Sequence, residues 1–462
     1  MSRSLHIALH VTAGGLLLLA AFVAGTVTEI AVHWRRFQLP LLAAGAVVLL
    51  GGVLRPPPGL ARAQRGLCVV SIALIVGVAV VEVFFRVVRF DFRHQAALWQ
   101  QTPPFFRKPT VPVGTVFFRR DGPLEWTGPV TRRVLEVLNF DAAAYADEPA
   151  ITVRYDELGF RNEPRPAAWE IVIAGDSFTE LGHLPFAELF TTWLAQALGL
   201  RVLNLGVGNT GPLTQLSYLE NYGVSPATRE AMLVFFEGND LADLAYEREA
   251  ELRFQATGKR PFREFRPQTS FLRAVGERIR ARRARPPRNP PPPVDAWFLG
   301  QTGRVAVTLG PPPPRGADLT PATAEALESC FSRFAAWGRQ HGIRTWLAYM
   351  PGKQRVWHTR LEFASAAPEA LTNWTPTDLP GVVAESCARH GIRFVDLTPA
   401  LVADTQVHGE PVFNHLYDSH LNARGSRLVA QALARLFMEN GGPKTATVPA
   451  ANRRREQLRS SD

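Results

Sequence analysis

The chain has 462 residues, of which 46% are hydrophobic and 20% are charged, and its formal net charge is +10. This length accommodates one large or two ordinary soluble domains and can bury a substantial core. The apolar fraction excludes disorder throughout the chain. A disulfide-framework protein is also excluded, because the whole chain contains three cysteines.

The positive charge is concentrated in one segment. Between Arg248 and Arg288, thirteen Arg or Lys residues stand against four Glu. Only four of the 51 basic residues are lysine, a bias that indicates genomic composition. Arg-rich helices are often solvated faces or contacts to anionic lipid headgroups, so we do not expect a nucleic-acid partner. The net charge is therefore a poor guide to function.

Three apolar stretches, at about 7–28, 37–54 and 66–87, occupy most of the first ninety residues. Each is near the length needed to cross a hydrocarbon core of about 30 Å. The alternative is a cleaved signal peptide followed by two buried helices, but a run this long with two more behind it favours three transmembrane helices. Glu82 and Arg86, four residues apart, are predicted to pair where the third helix leaves the membrane. The flanking arginines do not decide the membrane orientation.

Residues 91–168 are predicted to form a small β-rich lead-in rather than an independent domain. The stretches Thr115–Phe118 and Ile151–Tyr155 have the β-branched and aromatic content of strands and are bounded by Pro and Gly. At the other end of the chain, residues 441–462 are predicted to be a disordered basic tail.

Strands and helices alternate between residues 169 and 440. The predicted strands are Ile171–Ala174, Val202–Val207, Ala231–Phe236, Arg344–Met350 and Arg393–Leu397. The predicted helices are Phe186–Leu198, Leu213–Tyr222, Thr323–Gln340, Val382–His390 and about Ala423–Phe437. Five apolar strands separated by helices predict an α/β fold, a parallel sheet with helices on both faces. Sites in such sheets form at the carboxyl ends of the strands.

An insertion at about 245–320 is predicted to interrupt this alternation. It contains the basic segment and two proline runs, Pro290–Pro293 and Pro311–Pro314. Such runs favour extended polyproline II and do not fit inside strands or helices. We therefore expect a partly flexible Pro/Arg-rich insertion.

Polar residues follow three of the predicted strands. Ser177 comes just after the first strand, in a turn that exposes a serine at the sheet edge. Gly208 and Asn209 follow the second strand, and Asn239 follows the third. Seen alone, these residues are equally typical of a helix cap, a glycine-rich turn and an Asx turn.

The last loop contains Asp418 and His420, two residues apart. A carboxylate at this spacing can lie beside the imidazole and fix its tautomer. A lone histidine is more often a surface residue, and His415 competes for the role but has no carboxylate in the same relation. Together, however, a serine, an Asp–His pair and several N–H donors at the strand ends of one sheet are the set that acyl transfer needs.

The order of these residues resembles the SGNH/GDSL hydrolase superfamily. Its blocks are matched residue by residue at Ser177, Asn239, Asp418 and His420. The stretch Tyr155–Asn162 is similar to the lead-in of membrane-anchored members. The two-residue Asp–His spacing is similar to the alginate O-acetyltransferase-like branch and to some envelope acyl esterases. The resemblance covers about residues 155–437 and implies a flavodoxin-like three-layer α/β/α domain with five parallel strands, placed outside the cytoplasm.

The resemblance also implies a role for each residue. Ser177 would be the nucleophile, His420 the base and Asp418 the group that orients it. The oxyanion would be held by the N–H of Ser177, the Asn239 amide and one further backbone N–H. An ungapped match places the superfamily's oxyanion glycine on Asn209, which tolerates positive φ, and Gly208 is one residue earlier, so both stay open.

Two basic residues after the fourth strand, Lys353 and Arg355, lie in a stretch similar to the polysaccharide-modifying branch. Either is a candidate to bind an anionic sugar, although a solvated loop charge is the commoner explanation for each alone.

These observations predict a serine ester hydrolase that acts on O-acyl esters of a cell-envelope or exported carbohydrate through an acyl-enzyme. One alternative is an O-acyltransferase for an exported polysaccharide, which would need a membrane partner that supplies the acyl group. Another is a non-catalytic membrane scaffold that binds glycan. No cofactor or metal is implied, since His and Cys are scattered without ligand spacing. The predicted location is the cell membrane, with the bilayer as a partner.

Overall fold

The computed structural model describes most of the chain from residue 102 onward and short pieces before it. The described residues are 10–12, 69, 72, 76–88, 90, 92, 102–114, 116–259, 269–276, 290–416 and 418–441. The chain divides into two compact units, the first comprising Met1–Trp99 with Pro267–Arg285 and the second Gln100–Arg266 with Pro286–Asp462.

In the first unit, residues 76–87 form a helix. Arg86 donates to the Glu82 carboxylate at 2.7 Å, which confirms the predicted pairing. The other oxygen of Glu82 accepts the backbone N–H of Leu272 at 3.1 Å. A short piece of the basic segment therefore packs against this helix.

Within the described residues, no helix has both the length and the apolar character to cross a membrane. Nearly all of the predicted spans at 7–28 and 37–54, and much of the span at 66–87, lie outside those residues, as does the tail after Gly441.

In the second unit, the described strands are numbered in chain order. They are β1 (Val111–Val113), β2 (Phe117–Arg119), β3 (Leu124–Gly128), β4 (Ile151–Tyr155), β5 (Ile171–Gly175), β6 (Val202–Gly206), β7 (Glu230–Phe236), β8 (Ala296–Leu299), β9 (Arg304–Val307), β10 (Arg344–Met350), β11 (Leu361–Phe363) and β12 (Arg393–Asp396).

The described α-helices of this unit are numbered in the same way. They are α1 (Val130–Val137), α2 (Ser177–Glu180), α3 (Phe190–Leu198), α4 (Pro212–Tyr222), α5 (Asp240–Thr257), α6 (Pro321–His341), α7 (Lys353–Val356), α8 (Glu369–Thr372), α9 (Leu379–His390), α10 (Thr398–His408) and α11 (Ala423–Glu439).

The central sheet has five parallel strands in the order β12-β10-β7-β5-β6, which confirms the predicted sheet. Its strands are buried on both faces. Val172 and Ala174 point into one core, with Leu216 of α4 and Phe331 of α6, whereas Ile173 points into the other. This alternation is the side-chain period of two expected of a strand covered on both sides by helices.

The lead-in folds against the sheet domain as short antiparallel pairs. β4 has the predicted bounds Ile151–Tyr155 and pairs with β3, while β2 begins at Phe117, two residues later than the predicted strand. The helix Val130–Val137 was not predicted. Its apolar residues recur at helical spacing, but an eight-residue window between prolines and glycines gives a weak signal.

The predicted insertion differs from the structure at both ends. Helix α5 continues to Thr257, so regular structure extends beyond residue 245. The strands β8 and β9, which were not predicted, pair with each other, and β8 also pairs with β11 to form a three-stranded antiparallel sheet. These strands are four residues long and lie between the two proline runs, whose composition obscures their pattern. Residues 260–268 and 277–289 lie outside the described residues.

Candidate active site

A cavity of about 580 Å³ lies at the carboxyl edge of the sheet. Its lining includes the predicted site residues Ser177, Gly208, Asn209, Asn239 and His420. They come from the turns after β5, β6 and β7 and from the loop before α11. Residues that are far apart in sequence therefore meet at one edge, as the parallel arrangement of the strands requires.

The Asp418 and His420 side chains form a hydrogen-bonded pair between Oδ1 and Nδ1. The backbone N–H of His420 also donates to Asp418 Oδ1 at 2.9 Å, and Asn414 donates to Oδ2 at 2.9 Å. With its Nδ1–H donated to Asp418, the imidazole keeps Nε2 as a proton acceptor. The geometry is therefore that of a base with its orienting carboxylate.

Burial and charge act in opposite directions on this pair. Burial opposes protonation of His420, but the charge of Asp418 and the hydrogen bond between them outweigh it, so the pKa of His420 is raised. Burial disfavours the charged form of Asp418 as well, yet its attraction to His420 lowers the pKa of this carboxyl below its usual range. Asp418 therefore stays ionised.

Ser177 opens the short helix α2, and Asp176 caps this helix by accepting the N–H of Phe178 at 2.8 Å. The Ser177 hydroxyl donates to Asp176 Oδ2 at 3.3 Å. The Phe178 ring lies 4.8 Å from the His420 ring, which places the serine turn beside the base. Burial, with a smaller contribution from the charge of Asp243, raises the pKa of Asp176 to about 6.

The structure separates the two candidate oxyanion donors after β6. The N–H of Gly208 donates to Glu180 Oε2 at 2.5 Å, so a ligand would have to compete with a carboxylate for it. Asn209 is exposed, has φ +62°, and has no hydrogen-bond partner for its N–H in the described part of the chain. A Cβ at position 208 would lie 3.0 Å from Glu180 Oε2 and 3.2 Å from Ser177 Cβ, which accounts for the glycine. The N–H that remains available is that of Asn209.

Asn239 precedes α5 and supplies a side-chain amide to the cavity. One of its two amide hydrogens is used by Asp243 Oδ2 at 2.5 Å, so the second is available to a ligand. The adjacent Asp240 accepts the N–H of Phe236 at 2.8 Å and closes the turn between β7 and α5. These bonds fix the direction in which the amide points.

Lys353 lines the cavity whereas Arg355 is not part of its lining, and both side chains are buried and engaged within the protein, so a substrate-binding role stays a prediction for both. Lys353 Nζ donates to the carbonyl of Thr308 at 2.9 Å and to the carbonyl of Asp418. Arg355 pairs with Glu237, whose Oε1 is 2.7 Å from Nε. Burial lowers the pKa of Lys353 to about 7. A basic residue after a strand is usually solvated, and the sequence carries no sign that these two are covered.

Several residues of the site had no signal in the sequence. The cavity walls include Phe105 and Phe106 of the lead-in, Leu309, and Pro311 and Pro313 of the second proline run. The sequence predicts that the proline run is extended, but it places the run in a partly flexible insertion and not in a cavity wall. Phe105 and Phe106 belong to no motif, and only their position in the fold brings them to the cavity.

His183 lies close to the Asp–His pair, and one ligand atom from each of His183, Asp418 and His420 falls within 4.8 Å of the others. His183 Nε2 is hydrogen-bonded to the Leu421 carbonyl at 2.9 Å, and the other two side chains bind each other. Hydrogen bonds therefore account for this cluster, and we assign no metal to it.

Residues 316–461 match the ALGX family model, described as the SGNH hydrolase-like domain of acetyltransferase AlgX. The predicted resemblance to the SGNH hydrolase superfamily, with its AlgX-like relation, is confirmed. The matched residues contain Asp418 and His420, and they begin after Ser177 and Asn239. No curated protein matches the chain.

Solved structures with similarity to this chain include three bacterial proteins. A lipolytic protein of the G-D-S-L family from Veillonella parvula has 12% identity and a TM-score of 0.30, with 58% of this chain and 97% of that chain covered. The lipase/acylhydrolase from Enterococcus faecalis has 13% identity and a TM-score of 0.29, with 58% and 95% covered. Phospholipase A1 from Streptomyces albidoflavus has 13% identity and a TM-score of 0.30, with 58% and 99% covered.

Backbone conformation at Asn209 gives a first prediction. Glycine adopts φ +62° without strain, whereas a β-branched residue does so at a cost of about 1–3 kcal/mol. We expect Asn209→Gly to keep ester-hydrolysis kcat/KM within about threefold, and Asn209→Val to lose tenfold or more, because the strained turn moves the N–H away from the cavity.

Asn139 offers a matched control, since it is an exposed asparagine with φ +60° that does not line the cavity. Asn139→Val should lower the thermal stability through a similar backbone strain and keep full activity. Equal kcat/KM for Asn209→Val and the wild type would contradict the assignment of this N–H.

Proposed function

We propose that the protein is a serine ester hydrolase of SGNH type that acts on O-acyl esters through an acyl-enzyme on Ser177. The observation that carries this proposal is the convergence of Ser177, the Asp418–His420 pair and two independent hydrogen-bond donors on one cavity. The SGNH match of residues 316–461 supports the same chemistry.

In the first step, His420 Nε2 takes the proton of the Ser177 hydroxyl while Oγ attacks the ester carbonyl. Asp418 stabilises the imidazolium that forms. The hydroxyl must turn from Asp176 toward His420, a rotation about one side-chain bond. Catalytic hydrogen bonds of this kind often form only when substrate is bound.

The negative charge that develops on the carbonyl oxygen is held by the N–H groups of Ser177 and Asn209 and by the Asn239 amide. His420 then gives its proton to the leaving alcohol as the carbon–oxygen bond breaks. A water molecule or a sugar hydroxyl attacks the acyl-enzyme in the second step, with His420 again as base, and Ser177 is released. Each oxyanion donor of this kind typically contributes about a hundred- to a thousandfold in rate.

The proposed substrate is an acylated carbohydrate of the cell envelope or an exported polysaccharide. The cavity supports this assignment because its lining combines aromatic and proline side chains with polar groups. The AlgX-type match favours a second candidate, an O-acyltransferase that passes the acyl group to a polysaccharide hydroxyl. The complete Ser, Asn, Asp and His set argues against a non-catalytic scaffold.

The proposed location is the cell membrane, with the catalytic domain outside the cytoplasm. The helix at residues 76–87 supports a membrane contact, because Val80, Val83, Phe84 and Val87 are each more than half exposed. Such a face is stable against lipid and unfavourable in water. Release of the full chain from membranes by alkaline carbonate would contradict this proposal.

A fluorophosphonate label tests the nucleophile. We expect labelling of the purified wild type and loss of labelling, with at least a thousandfold loss of esterase activity, in both Ser177→Ala and His420→Ala. Ser419→Ala is the matched control, because Ser419 lines the same cavity and has no role in the mechanism. Labelling retained in Ser177→Ala would overturn the proposal.

The pH dependence of the esterase activity should follow the protonation of His420. Only neutral His420 accepts the serine proton, so activity should fall as the pH decreases through its raised pKa.

The acceptor distinguishes hydrolase from transferase. As a hydrolase, the enzyme releases acetate from an acetylated glycan in water with no acceptor polymer present. Turnover that depends strictly on added deacetylated polymer, with acetyl groups recovered on that polymer, would establish the transferase instead.

A further inference from the structure

A single buried guanidinium connects the lead-in to the turn that carries the serine. Arg120 follows β2, is 4% exposed, and places all five of its N–H groups in hydrogen bonds. Two of these bonds go to the Glu180 carboxylate, from Nε at 2.5 Å and from Nη2 at 2.8 Å. The remaining bonds go to backbone carbonyls of residues 104, 105 and 107.

Glu180 is fully buried and lies three residues after Ser177, at the end of α2. Besides Arg120, it accepts the Tyr155 hydroxyl on Oε1 at 2.5 Å and the N–H of Gly208 on Oε2 at 2.5 Å. A buried carboxylate with four donors around it has little freedom to move. Glu180 therefore holds the serine turn and the loop after β6 in one arrangement.

The loop after β6 is held by buried carboxylates on both sides of Asn209. Glu180 binds Gly208 before it, and Glu247 of α5 binds the N–H groups of Gly211 at 2.7 Å and Leu213 at 3.0 Å after it. Asn209 lies between these two anchors in the left-handed conformation. Its N–H is thus directed by contacts that do not involve its own side chain.

Arg120 also binds the backbone of one wall of the cavity. Its bonds to the carbonyls of Pro104 at 2.9 Å and Phe105 at 3.0 Å fix the short 3₁₀ turn Pro104–Phe106. Phe105 and Phe106 both line the cavity. One side chain of the lead-in thereby orders both an oxyanion donor and a substrate-facing wall.

We infer that Arg120 and Glu180 are positioning residues for acyl transfer, because they hold the loop that presents the Asn209 N–H to the oxyanion. This inference rests on the proposed function and extends it to the lead-in. Loss of the Glu180–Gly208 contact leaves the ester free to bind but misplaces a donor that acts in the transition state. The effect therefore falls on kcat more than on KM.

The test uses the full chain with p-nitrophenyl acetate as substrate. Methylboronic acid serves as the transition-state analogue, because it forms a tetrahedral adduct with the serine hydroxyl. Glu180→Gln keeps the shape of the side chain. It replaces one of the two carboxylate oxygens with an amide NH₂ group, so the side chain loses acceptor capacity for the Gly208 N–H and for its other donors. We expect kcat to fall about a hundredfold, KM to stay within threefold, and boronate affinity to fall with kcat. Arg120→Lys keeps the charge, loses most of the five bonds, and should lower kcat at least tenfold while raising KM.

Glu230→Gln is the matched control for loss of a buried carboxylate. Glu230 is fully buried, pairs with Arg344 and accepts the Trp346 indole N–H at 2.8 Å, but it lies at the opposite end of β7. It should lower the thermal midpoint without changing kcat or boronate affinity.

Wild-type kcat and boronate affinity in a folded Glu180→Gln protein would overturn the inference, whatever its thermal midpoint. If Glu180→Gln does not fold, Arg120→Lys decides in the same way, with unchanged kcat as the overturning result. A wild type that neither hydrolyses the ester nor takes a fluorophosphonate on Ser177 would instead overturn the proposed function.

Discussion

Parallel pairing of the central strands is the constraint on which the site depends. Gly175 at the end of β5 is in register with Gly206 of β6 and Val234 of β7, and Met350 of β10 is in register with Phe236 of β7. Four chain segments therefore leave the sheet at nearly the same level and turn over the same edge. Because strand register in a doubly covered sheet is fixed by two apolar faces, the spacing between the serine turn and the oxyanion loops is fixed by the core. The relative positions of the catalytic residues therefore depend on hydrophobic packing in the core.

Buried carboxylates then shape the turns above that edge. Asp176, Glu180, Asp240 and Glu247 each accept at least one backbone N–H in a turn or at a helix start. Burying an ionised carboxylate is unfavourable unless hydrogen bonds or a cation compensate it. Glu180 has a cation, whereas burial raises the pKa of Glu247 to about 7. The loops are thus ordered at a cost in free energy that a glycine-rich turn without such partners would not incur.

Much of this arrangement could be predicted from the sequence, and the features that could not be predicted depend on tertiary contacts. The strand Arg344–Met350 was predicted with its observed bounds, because an apolar run between polar residues specifies a buried strand. Ser177, Asn239, Asp418 and His420 were found because their order along the chain is distinctive. The choice between Gly208 and Asn209 could not be made, since it depends on where the Glu180 side chain points. Arg120 is sixty residues from Glu180 and belongs to no local pattern, so only the tertiary fold reveals the pairing.

The ammonium of Lys353 has a consequence for how such a protein can vary. It binds the carbonyl of Thr308, just before the proline wall, and the carbonyl of Asp418 in the catalytic loop. Surface insertions usually change length freely between homologues, because little of their backbone is tied to the core. Here the buried Lys353 ammonium binds both the last part of the insertion and Asp418, the residue that orients the base. A change of length before Thr308 leaves these two bonds in place, whereas a change between Thr308 and the proline wall would shift a segment that is bonded to the catalytic loop through Lys353.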